Sequence, residues 1–597
     1  MKNRLKCKTT LLRITFLVIA VAIAFGLKAQ IPPVFDKQKN SMHVDELTRV
    51  YITPQRIVWM NNPDSSLIND EKFLLIPGNE QAKMGKKNMC EFSSTKTDTA
   101  SVILDYGKEI QGGLKLVLGS SNRREPSLVR IRFGESVGEC CSTTNNSEWK
   151  VGFSTDDHAK RDIVIEIPRD GSIELGNTGF RFVRLDLLQP ATTIHIKEIS
   201  AILRYRNIPY LGSFKCNDER LNDIWMTGAY TVHLNMQEFL WDGIKRDRLV
   251  WIGDMHPEVS TISSVFGYND VVPKSLNLAC EQFPLPGWMN NISAYSMWYL
   301  IIQYEWYMQN GDLTFLKKHG DYIKGLVDLI SKGIDKNGNM NLSKRQFLDW
   351  PSSPNALGIE SGNRALAVWG LQDAQKLCHF LDDSTHATVC KNTIVRLHLK
   401  TEEPNNLKQA AALMAIAGLK DPKQACDQVV TVGGAKNFST FYGLYMLDVM
   451  ALADEYKQSL NIIRQYWGGM LDMGATTFWE DFNLEWMAGS THLDEMPQPG
   501  KKDIHGDFGA YCYPGFRHSF CHGWSSGPTS WLSRYVLGVQ VLEPGCKVVR
   551  IEPHLDDLLW VEGTYPTPLG VISIRHEMIN GKIVSKIEAP KGIKIVR

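Results

Sequence analysis

Hydrophobic and polar residues alternate with two different periods along this chain. Between about residues 45 and 212, short β-branched runs alternate with a period of two, and Gly, Pro, Asn or Asp bounds each run; SVILDYG at 101–107 is an example. This pattern predicts antiparallel strands packed as a β-sandwich. The pattern returns after Leu537, for example in KVVRIEP at 547–553. It predicts a second, small β-sandwich there.

Between these two regions the period lengthens to about 3.6 residues, which indicates helices. Asn217 is placed to cap the first helix, in which Leu221, Ile224 and Trp225 follow one stripe. Ten further segments show helical periodicity: 257–267, 292–310, 313–332, 362–382, 386–399, 405–418, 421–431, 439–453, 455–469 and 526–538. Eleven helices come close to the twelve of an (α/α)6 toroid, so paired helices in a barrel are the predicted architecture.

The predicted fold is therefore multidomain with both α and β structure. A central (α/α)6 barrel at 216–538 is flanked by an N-terminal β-sandwich at 30–215 and a C-terminal small β-sandwich at 539–597. Residues 1–29 are predicted to be a signal peptide, because basic residues precede a long apolar run and Ala29 offers a cleavage site. We expect an exported protein, periplasmic or at the cell surface, although the apolar run leaves an uncleaved anchor open.

Composition narrows the classes of partner and cofactor. The chain has 66 Lys and Arg against 65 Asp and Glu, a formal net charge of +1, and no basic block. Nucleic acid and an anionic membrane surface are therefore not expected partners. The 12 cysteines include no CxxC pair with histidine that would indicate zinc, and at most one or two disulfides are expected. No cofactor is required; a calcium ion in a loop is compatible with the sequence, but no motif indicates it. The oligomeric state is left open.

One stretch, WDGIKRDRLVWIGDMH at 241–256, combines carboxylates, cations and two tryptophans. Gly243 and Gly253 interrupt it, which predicts a loop leading into a helix. Aromatic faces beside carboxyls suit a sugar site, because the ring packs on C–H faces while the carboxyls bind hydroxyls and transfer protons. A salt-bridged helix start with Trp251 in the core would produce the same pattern.

Carboxyl groups near tryptophans are the candidate catalytic residues. Hydrolysis of a glycosidic bond needs one protonated carboxyl for the leaving group and one carboxylate that attacks or activates water. Asp247 and Glu480 are the candidates, with Glu485 as the alternative base. Neither a GxSxG nor an HExxH motif is present, so serine-hydrolase and zinc-protease chemistry are not indicated.

Four motifs resemble the bacterial α-L-rhamnosidases of glycoside hydrolase family 78, which are six-hairpin glycosidases. They are DGIKRDRLVWIGD at 242–254, FLDWP at 347–351, GATTFWE at 474–480 and SFCHGW at 519–524. The resemblance implies an exo-acting hydrolase that releases terminal α-L-rhamnose from glycans or glycosides with inversion of configuration. It implies that Asp247 is the general acid and that Glu480 is the base that activates water. The substrate-binding residues that it implies are Asp242, Arg246, Trp251, Asp254, Trp288, Trp350 and His522.

Asp247 departs from the family, which commonly has glutamate at this position. The shorter side chain retreats by roughly one C–C bond, and a displacement of about 1 Å can lower a rate substantially. Two other classes of protein also stay open. One is a different (α/α)6 carbohydrate-active enzyme, such as another exo-glycosidase or a uronate lyase; the other is a non-catalytic sugar-binding relative that has lost the acid.

Several of these residues also have structural explanations. Trp288 and Trp350 could be core aromatics beneath the loops. His522 could serve a helix start, since Gly523 follows it. Asp254 could cap the next helix, with Glu258 one turn later in the manner of a capping box.

Overall fold

The computed structural model describes residues 33–35, 45–61, 66–142, 161–400, 402–511 and 514–597. The chain forms two compact units, Met1–Leu47 and Thr48–Arg597, and the elements below belong to the second apart from the first residue of β1. The predicted signal peptide at 1–29 lies outside the described residues. Among the residues that are described, no helix has both the length and the hydrophobicity to cross a bilayer.

The period-two segments of the N-terminal region form a nine-stranded sheet. Its strands are β1 Leu47–Ile52, β2 Arg56–Met60, β3 Ile68–Asn69, β4 Cys90–Ser93, β5 Ser101–Ser121, β6 Ser127–Gly134, β7 Asp162–Ile167, β8 Gly171–Leu187 and β9 Thr193–Arg206. The order is β3-β4-β9-β5-β8-β6-β7, with β1 beside β9 and β2 beside β5. The register between β5 and β8 shifts between Asp105 and Ile110, and bulges of this kind bend a sheet.

Helices account for most of the chain between residues 219 and 536. A short helix, α1 Val137–Cys141, precedes them within the sheet region. The others are α2 Glu219–Asn235, α3 Ile252–Val265, α4 Val271–Gln282, α5 Ser293–Asn310, α6 Leu313–Lys332, α7 Ala356–Phe380, α8 Ser384–Leu397, α9 Lys408–Ile416, α10 Pro422–Ala425, α11 Gly443–Leu452, α12 Tyr456–Asp472 and α13 Gly527–Trp531. Single π-turns at Cys426–Val430 and Leu532–Val536 continue α10 and α13.

Six of these helices pack into a closed ring. Along the chain, α3 packs beside α5, α5 beside α7, α7 beside α9, α9 beside α11 and α11 beside α13, and α13 returns to α3. The other helices alternate with them in sequence. All 14 residues of α3 are buried, as expected for a helix surrounded by others.

The structure corrects two sequence predictions about helix starts. Asp218, not Asn217, caps α2, because the Asp218 carboxylate accepts hydrogen bonds from the backbone N–H groups of Arg220 and Leu221. The Asn217 side chain instead accepts from the backbone N–H of Leu559, at 2.7 Å. Helix α3 begins at Ile252 rather than 257, with Pro257 inside it, and α4 was not predicted.

The chain after α13 forms two small sheets. A four-stranded antiparallel sheet contains β10 Ser213–Cys216, β15 Trp560–Thr567, β16 Gly570–Ile579 and β17 Lys582–Glu588, and a three-stranded sheet contains β13 Val539–Val541, β14 Val548–Ile551 and β18 Lys594–Val596. A parallel pair, β11 Ser490–Thr491 and β12 Lys502–Asp503, lies between α12 and α13. Strand β10 precedes the helices but pairs with β15, so the segment that leads into α2 is joined to the end of the chain.

Candidate active site

A cavity of about 520 Å³ opens where α3 begins. Eight of the nine predicted site residues line it: Asp242, Arg246, Asp247, Trp251, Asp254, Trp350, Glu480 and His522. Trp288 is not among the residues that line this cavity; its ring is partly buried against the hydrophobic core. The neighbouring Asn290 positions the site instead, because its side chain accepts from Ile252 N–H and donates to Val250 C=O, each at 3.0 Å.

The segment that carries Asp242 and Asp247 is closed into a loop by its own hydrogen bonds. The Asp242 carboxylate accepts from Leu249 N–H at 3.0 Å, and Asp242 N–H donates to Leu249 C=O at 3.2 Å. Gly523 N–H then donates to Asp242 C=O at 2.8 Å. Two segments that are far apart in the sequence are thereby fixed against each other.

A buried lysine ties this loop to the N-terminal sheet region. Lys245 Nζ lies 3.2 Å from Glu135 and 3.1 Å from Glu139 of α1, and 3.2 Å from His505 Nε2. Among the described residues, Glu135, Glu139 and His505 are the one group whose atoms could together hold a metal ion. Because Lys245 and the neighbouring Arg161 already balance the two carboxylates, we interpret the group as a structural ion-pair network.

The two proposed catalytic carboxyls share one guanidinium. Arg246 Nη2 donates to both oxygens of Glu480 at 2.5 and 2.6 Å, and Nη1 lies 3.3 Å from Asp247 Oδ1. Since the terminal nitrogens of a planar guanidinium are roughly 2.3 Å apart, the nearest oxygens of the two carboxyls are separated by at most about 8 Å. Burial raises the pKa of Glu480, and Arg246 is the strongest opposing influence. The two contacts with Arg246 favour the carboxylate form of Glu480, and burial increases its basicity.

His522 lies at the centre of the buried carboxyls. Its Nε2 is 3.7 Å from Glu480, 3.8 Å from Asp242 and 3.9 Å from Asp254. Burial, and then the nearby Arg246, lower the pKa of His522 well below its ordinary value. The imidazole is thus neutral at neutral pH, and it can accept one hydrogen bond and donate another.

Asp254 and Asp242 are poor anions in this environment. Burial raises the pKa of Asp254 well above its ordinary value, and a hydrogen bond from the Tyr295 hydroxyl to Asp254 Oδ2 at 3.1 Å opposes the rise. Burial, followed by repulsion from Asp247 and Asp254, raises the pKa of Asp242 in the same direction. Asp254 lies inside α3 and Trp251 occupies the N-cap position, so the predicted capping role of Asp254 is wrong.

One turn further into α3, Glu258 extends this acidic cluster. Neither of its carboxyl oxygens has a hydrogen-bond partner among the described residues. A Cβ at position 523 would lie 1.6 Å from Glu258 Oε1, so Gly523 is required for this close approach. Burial, then Asp254 and Asp242, raise the pKa of Glu258 well above its ordinary value, which favours the protonated acid.

Aromatic rings form the remaining walls. Trp251 meets the Tyr295 ring edge to face at 6.1 Å, and Phe347 meets Trp350 at 5.1 Å. The Trp524 ring is stacked on the Phe441 ring, with 5.1 Å between their centroids. A cavity with apolar walls and a polar end can bind a pyranose, with ring C–H faces on the aromatics and hydroxyls on the carboxyls.

Sequence reasoning did not identify every lining residue. Phe347 and Trp524 lie within motifs that it had singled out, so their signal was present but unused. Tyr295, Arg345 and Arg517 also line the cavity. Glu485, the alternative base, lies 3.1 Å from Lys436 with its side chain exposed, and it is not among the residues that line this cavity.

Comparison with known proteins confirms the resemblance. Residues 209–368 match the family described as bacterial alpha-L-rhamnosidase 6 hairpin glycosidase domain, and residues 538–596 match the bacterial alpha-L-rhamnosidase C-terminal domain. An alpha-L-rhamnosidase of Formosa agariphila is 22% identical over 508 residues, which cover 77% of this chain and 51% of that protein. The chain thus spans about half the length of this relative.

Solved structures share the fold. The GH78 family rhamnosidase of Bacillus sp. GL1 aligns with a TM-score of 0.70 at 19% identity, over 88% of this chain and 55% of its own. A Klebsiella oxytoca rhamnosidase with rhamnose bound aligns with a TM-score of 0.61 at 18% identity, over 85% of this chain and 99% of its own. The mixed α and β multidomain architecture predicted from the sequence is therefore confirmed.

Proposed function

We propose that this chain is an exo-acting glycoside hydrolase that releases terminal α-L-rhamnose from glycans or glycosides with inversion of configuration. The observation that carries the proposal is the placement of Asp247 and Glu480 in one cavity, each beside a different terminal nitrogen of the Arg246 guanidinium. Their separation of at most about 8 Å is compatible with the ~6.5–9.5 Å that leaves room for a water molecule in inverting enzymes. A pair only about 5–5.5 Å apart would favour retention, so the stereochemistry of the product is part of the test.

In this mechanism the two carboxyls divide the proton transfers. Asp247 gives its proton to the glycosidic oxygen as the bond to the anomeric carbon breaks. Glu480 removes a proton from a water molecule that attacks the opposite face of that carbon. Asp242, Asp254 and the neutral His522 bind the hydroxyls of the sugar, while Trp251 and Trp350 cover its apolar faces. Because these groups are held by hydrogen bonds and packing before substrate arrives, little reorganisation is needed.

We also infer that the closed ring of six helices is the inner layer of an (α/α)6 barrel. Helices α2, α4, α6, α8, α10 and α12 alternate with the ring helices along the chain, as the outer layer of six hairpins would. The flanking sheets are then the N-terminal and C-terminal β-sandwiches of the predicted architecture. In this arrangement the cavity lies at the end of the barrel where α3 begins.

An aryl α-L-rhamnoside tests the function directly. Wild type should release the phenol, and Asp247→Asn and Glu480→Gln should each lower kcat about 10²–10⁴-fold, the range for loss of a general acid or base. Asn or Gln retains the shape of each side chain. Glu485→Gln, in an exposed residue away from this cavity, is the matched control and should leave the rate within twofold.

Three outcomes would contradict the proposal. Equal and negligible release by wild type and both variants would favour a non-catalytic sugar-binding protein. An unsaturated product that absorbs in the ultraviolet, formed from uronate-containing glycans, would favour a lyase. Retained anomeric configuration in the first-formed rhamnose, observed by NMR, would overturn inversion while keeping the hydrolase.

A further inference from the structure

Arg345 lies at the mouth of the cavity and has no acidic partner among the described residues. Arg345 lines the cavity and is exposed, whereas Asp242 and Glu480 at the inner end are only 3% and 4% exposed. The guanidinium of Arg345 forms no hydrogen bond or ion pair with any of the described residues. Arg246, by contrast, is fully engaged with Glu480 and Asp247.

The position of Arg345 is fixed by its surroundings. Its guanidinium carbon lies 5.6 Å from the centroid of the Phe347 ring and 5.8 Å from that of Trp350, within the range of cation–π contacts. Its backbone C=O accepts from the Ser343 hydroxyl at 2.8 Å. Ser343 in turn contacts Ser293 at the start of α5, at 3.1 Å between hydroxyl oxygens. The charge thus lies against the aromatic wall of the cavity, on a backbone segment anchored to the start of α5.

The mouth is where the leaving group of an exo-acting enzyme must lie. When the terminal sugar occupies the inner end against Trp251 and Trp350, the next sugar lies towards the exposed Arg345. The exposed Tyr511 ring is nearly parallel to that of Trp350, with centroids 6.3 Å apart, and it continues the aromatic surface beyond the residues that line the cavity. A planar guanidinium matches a carboxylate or sulfate with two parallel hydrogen bonds.

We propose that the sugar next to the released rhamnose carries a negative charge, a carboxylate or a sulfate ester, and that Arg345 binds it. This inference rests on the proposed function and adds the substrate class. At the inner end the Glu480 carboxylate would repel an anionic group, and Arg246 is already paired with Glu480. The mouth is where such a group finds an unpaired cation.

A charged disaccharide and its neutral counterpart test the inference. The substrates are a rhamnosyl-uronate, its methyl ester, a rhamnosyl disaccharide sulfated on the second sugar, its desulfated form and a neutral aryl rhamnoside. In wild type, kcat/KM should be about tenfold higher for the charged member of at least one pair, as expected for one charge-assisted interaction. Which pair shows the preference distinguishes carboxylate from sulfate. Raising the salt concentration should reduce that preference.

Variants assign the preference to one residue. Arg345→Gln should remove the preference for the charged substrate, mainly through KM, and should lower kcat/KM less for the neutral substrates than for the charged ones. Arg345→Lys should keep part of the preference for the charged substrate. Lys344→Gln removes an adjacent exposed charge that does not line the cavity, and it should change nothing.

The possible outcomes test the charge preference separately from the proposed hydrolase function. Hydrolysis of the aryl rhamnoside without any preference for charge would overturn the inference alone. An equal loss in Arg345→Gln on charged and neutral substrates would also overturn it. Absence of hydrolysis of every rhamnoside by wild type would overturn the proposed function, and the inference with it.

Discussion

Replacement of Arg246 by methionine would test the electrostatic coupling between the two proposed catalytic carboxyls. The guanidinium is 5% exposed and contacts both oxygens of Glu480 at 2.5 and 2.6 Å. A further contact, from Nε to the C=O of Arg517 at 3.0 Å, anchors Arg246 to the segment that precedes His522. Methionine has a similar length and no charge, so it should fill much of the space without replacing the interaction.

The size of the effect follows from Coulomb's law. Unit charges about 4 Å apart interact with about 4 kcal/mol at an effective dielectric constant near 20. Loss of Arg246 removes an attraction of this size, so the pKa of Glu480 should rise further above its ordinary value. Burial already raises this pKa. In the variant the base should therefore stay protonated to higher pH, and the rate at pH 7 should fall by up to about 10³-fold, the equivalent of about 4 kcal/mol.

The dependence of kcat/KM on pH, measured with an aryl rhamnoside, distinguishes this electrostatic effect from a general disruption of the folded structure. We expect the acidic limb of the profile to move to higher pH, with activity partly recovered under alkaline conditions. Arg246→Lys keeps a positive charge and should move the limb much less. Breaking a buried ion pair can cost about 3–5 kcal/mol, so thermal unfolding of each variant is measured on the same sample. A folded variant with the limb unmoved and the whole profile lowered would refute the reasoning.

Two further predictions concern the carboxyls of helix α3. The raised pKa of Glu258 means that the folded protein holds this proton above pH 4.5, the ordinary value, where the unfolded chain releases it. The contribution to stability is therefore full below about pH 4.5 and is lost as pH rises towards the folded-state pKa, by up to about 1.36 kcal/mol per pH unit. Glu258→Gln should gain in Tm over wild type between pH 5 and pH 8, and parallel melting curves would contradict this. Tyr295→Phe removes the hydrogen bond to Asp254. KM and the Kd for rhamnose should therefore rise about fivefold, the effect of roughly 1 kcal/mol. A large decrease in kcat would instead show that the hydroxyl has another role.

Local patterns in the sequence predicted the elements, and long-range contacts could not be predicted from them. The helical period around Leu221 and Trp225 predicts α2 because burial of one face repeats every 3.6 residues. No local pattern shows that Asn217 binds the backbone at Leu559, since that contact depends on how the end of the chain returns. The same holds for β10, which pairs with a strand more than 300 residues later.

In the candidate site, too, some residues could be predicted from local sequence patterns and others could not. Asp247 and Glu480 could be proposed because carboxyls beside tryptophans suit the chemistry, and because the motifs resemble a known family. Tyr295 gave no signal, because a tyrosine in the apolar helix α5 has the pattern of a core residue. Its role depends on Gly253, where a Cβ would lie 2.3 Å from the Tyr295 ring. The need for glycine at position 253 follows from the packing of α5 on α3, which the local sequence does not show.

The backbone at Asp247 changes how its shorter side chain is interpreted. Asp247 and Arg248 have φ values of 58° and 53°, a left-handed pair that few non-glycine residues adopt. Arg248 stabilises the turn, because its N–H donates to the C=O of Arg246 at 2.8 Å and its Nε to that of Ile244 at 3.0 Å. Aspartate accepts left-handed backbone more readily than glutamate does. The turn and the side chain together determine where the carboxyl lies, so the missing methylene alone is no argument that the acid has been lost.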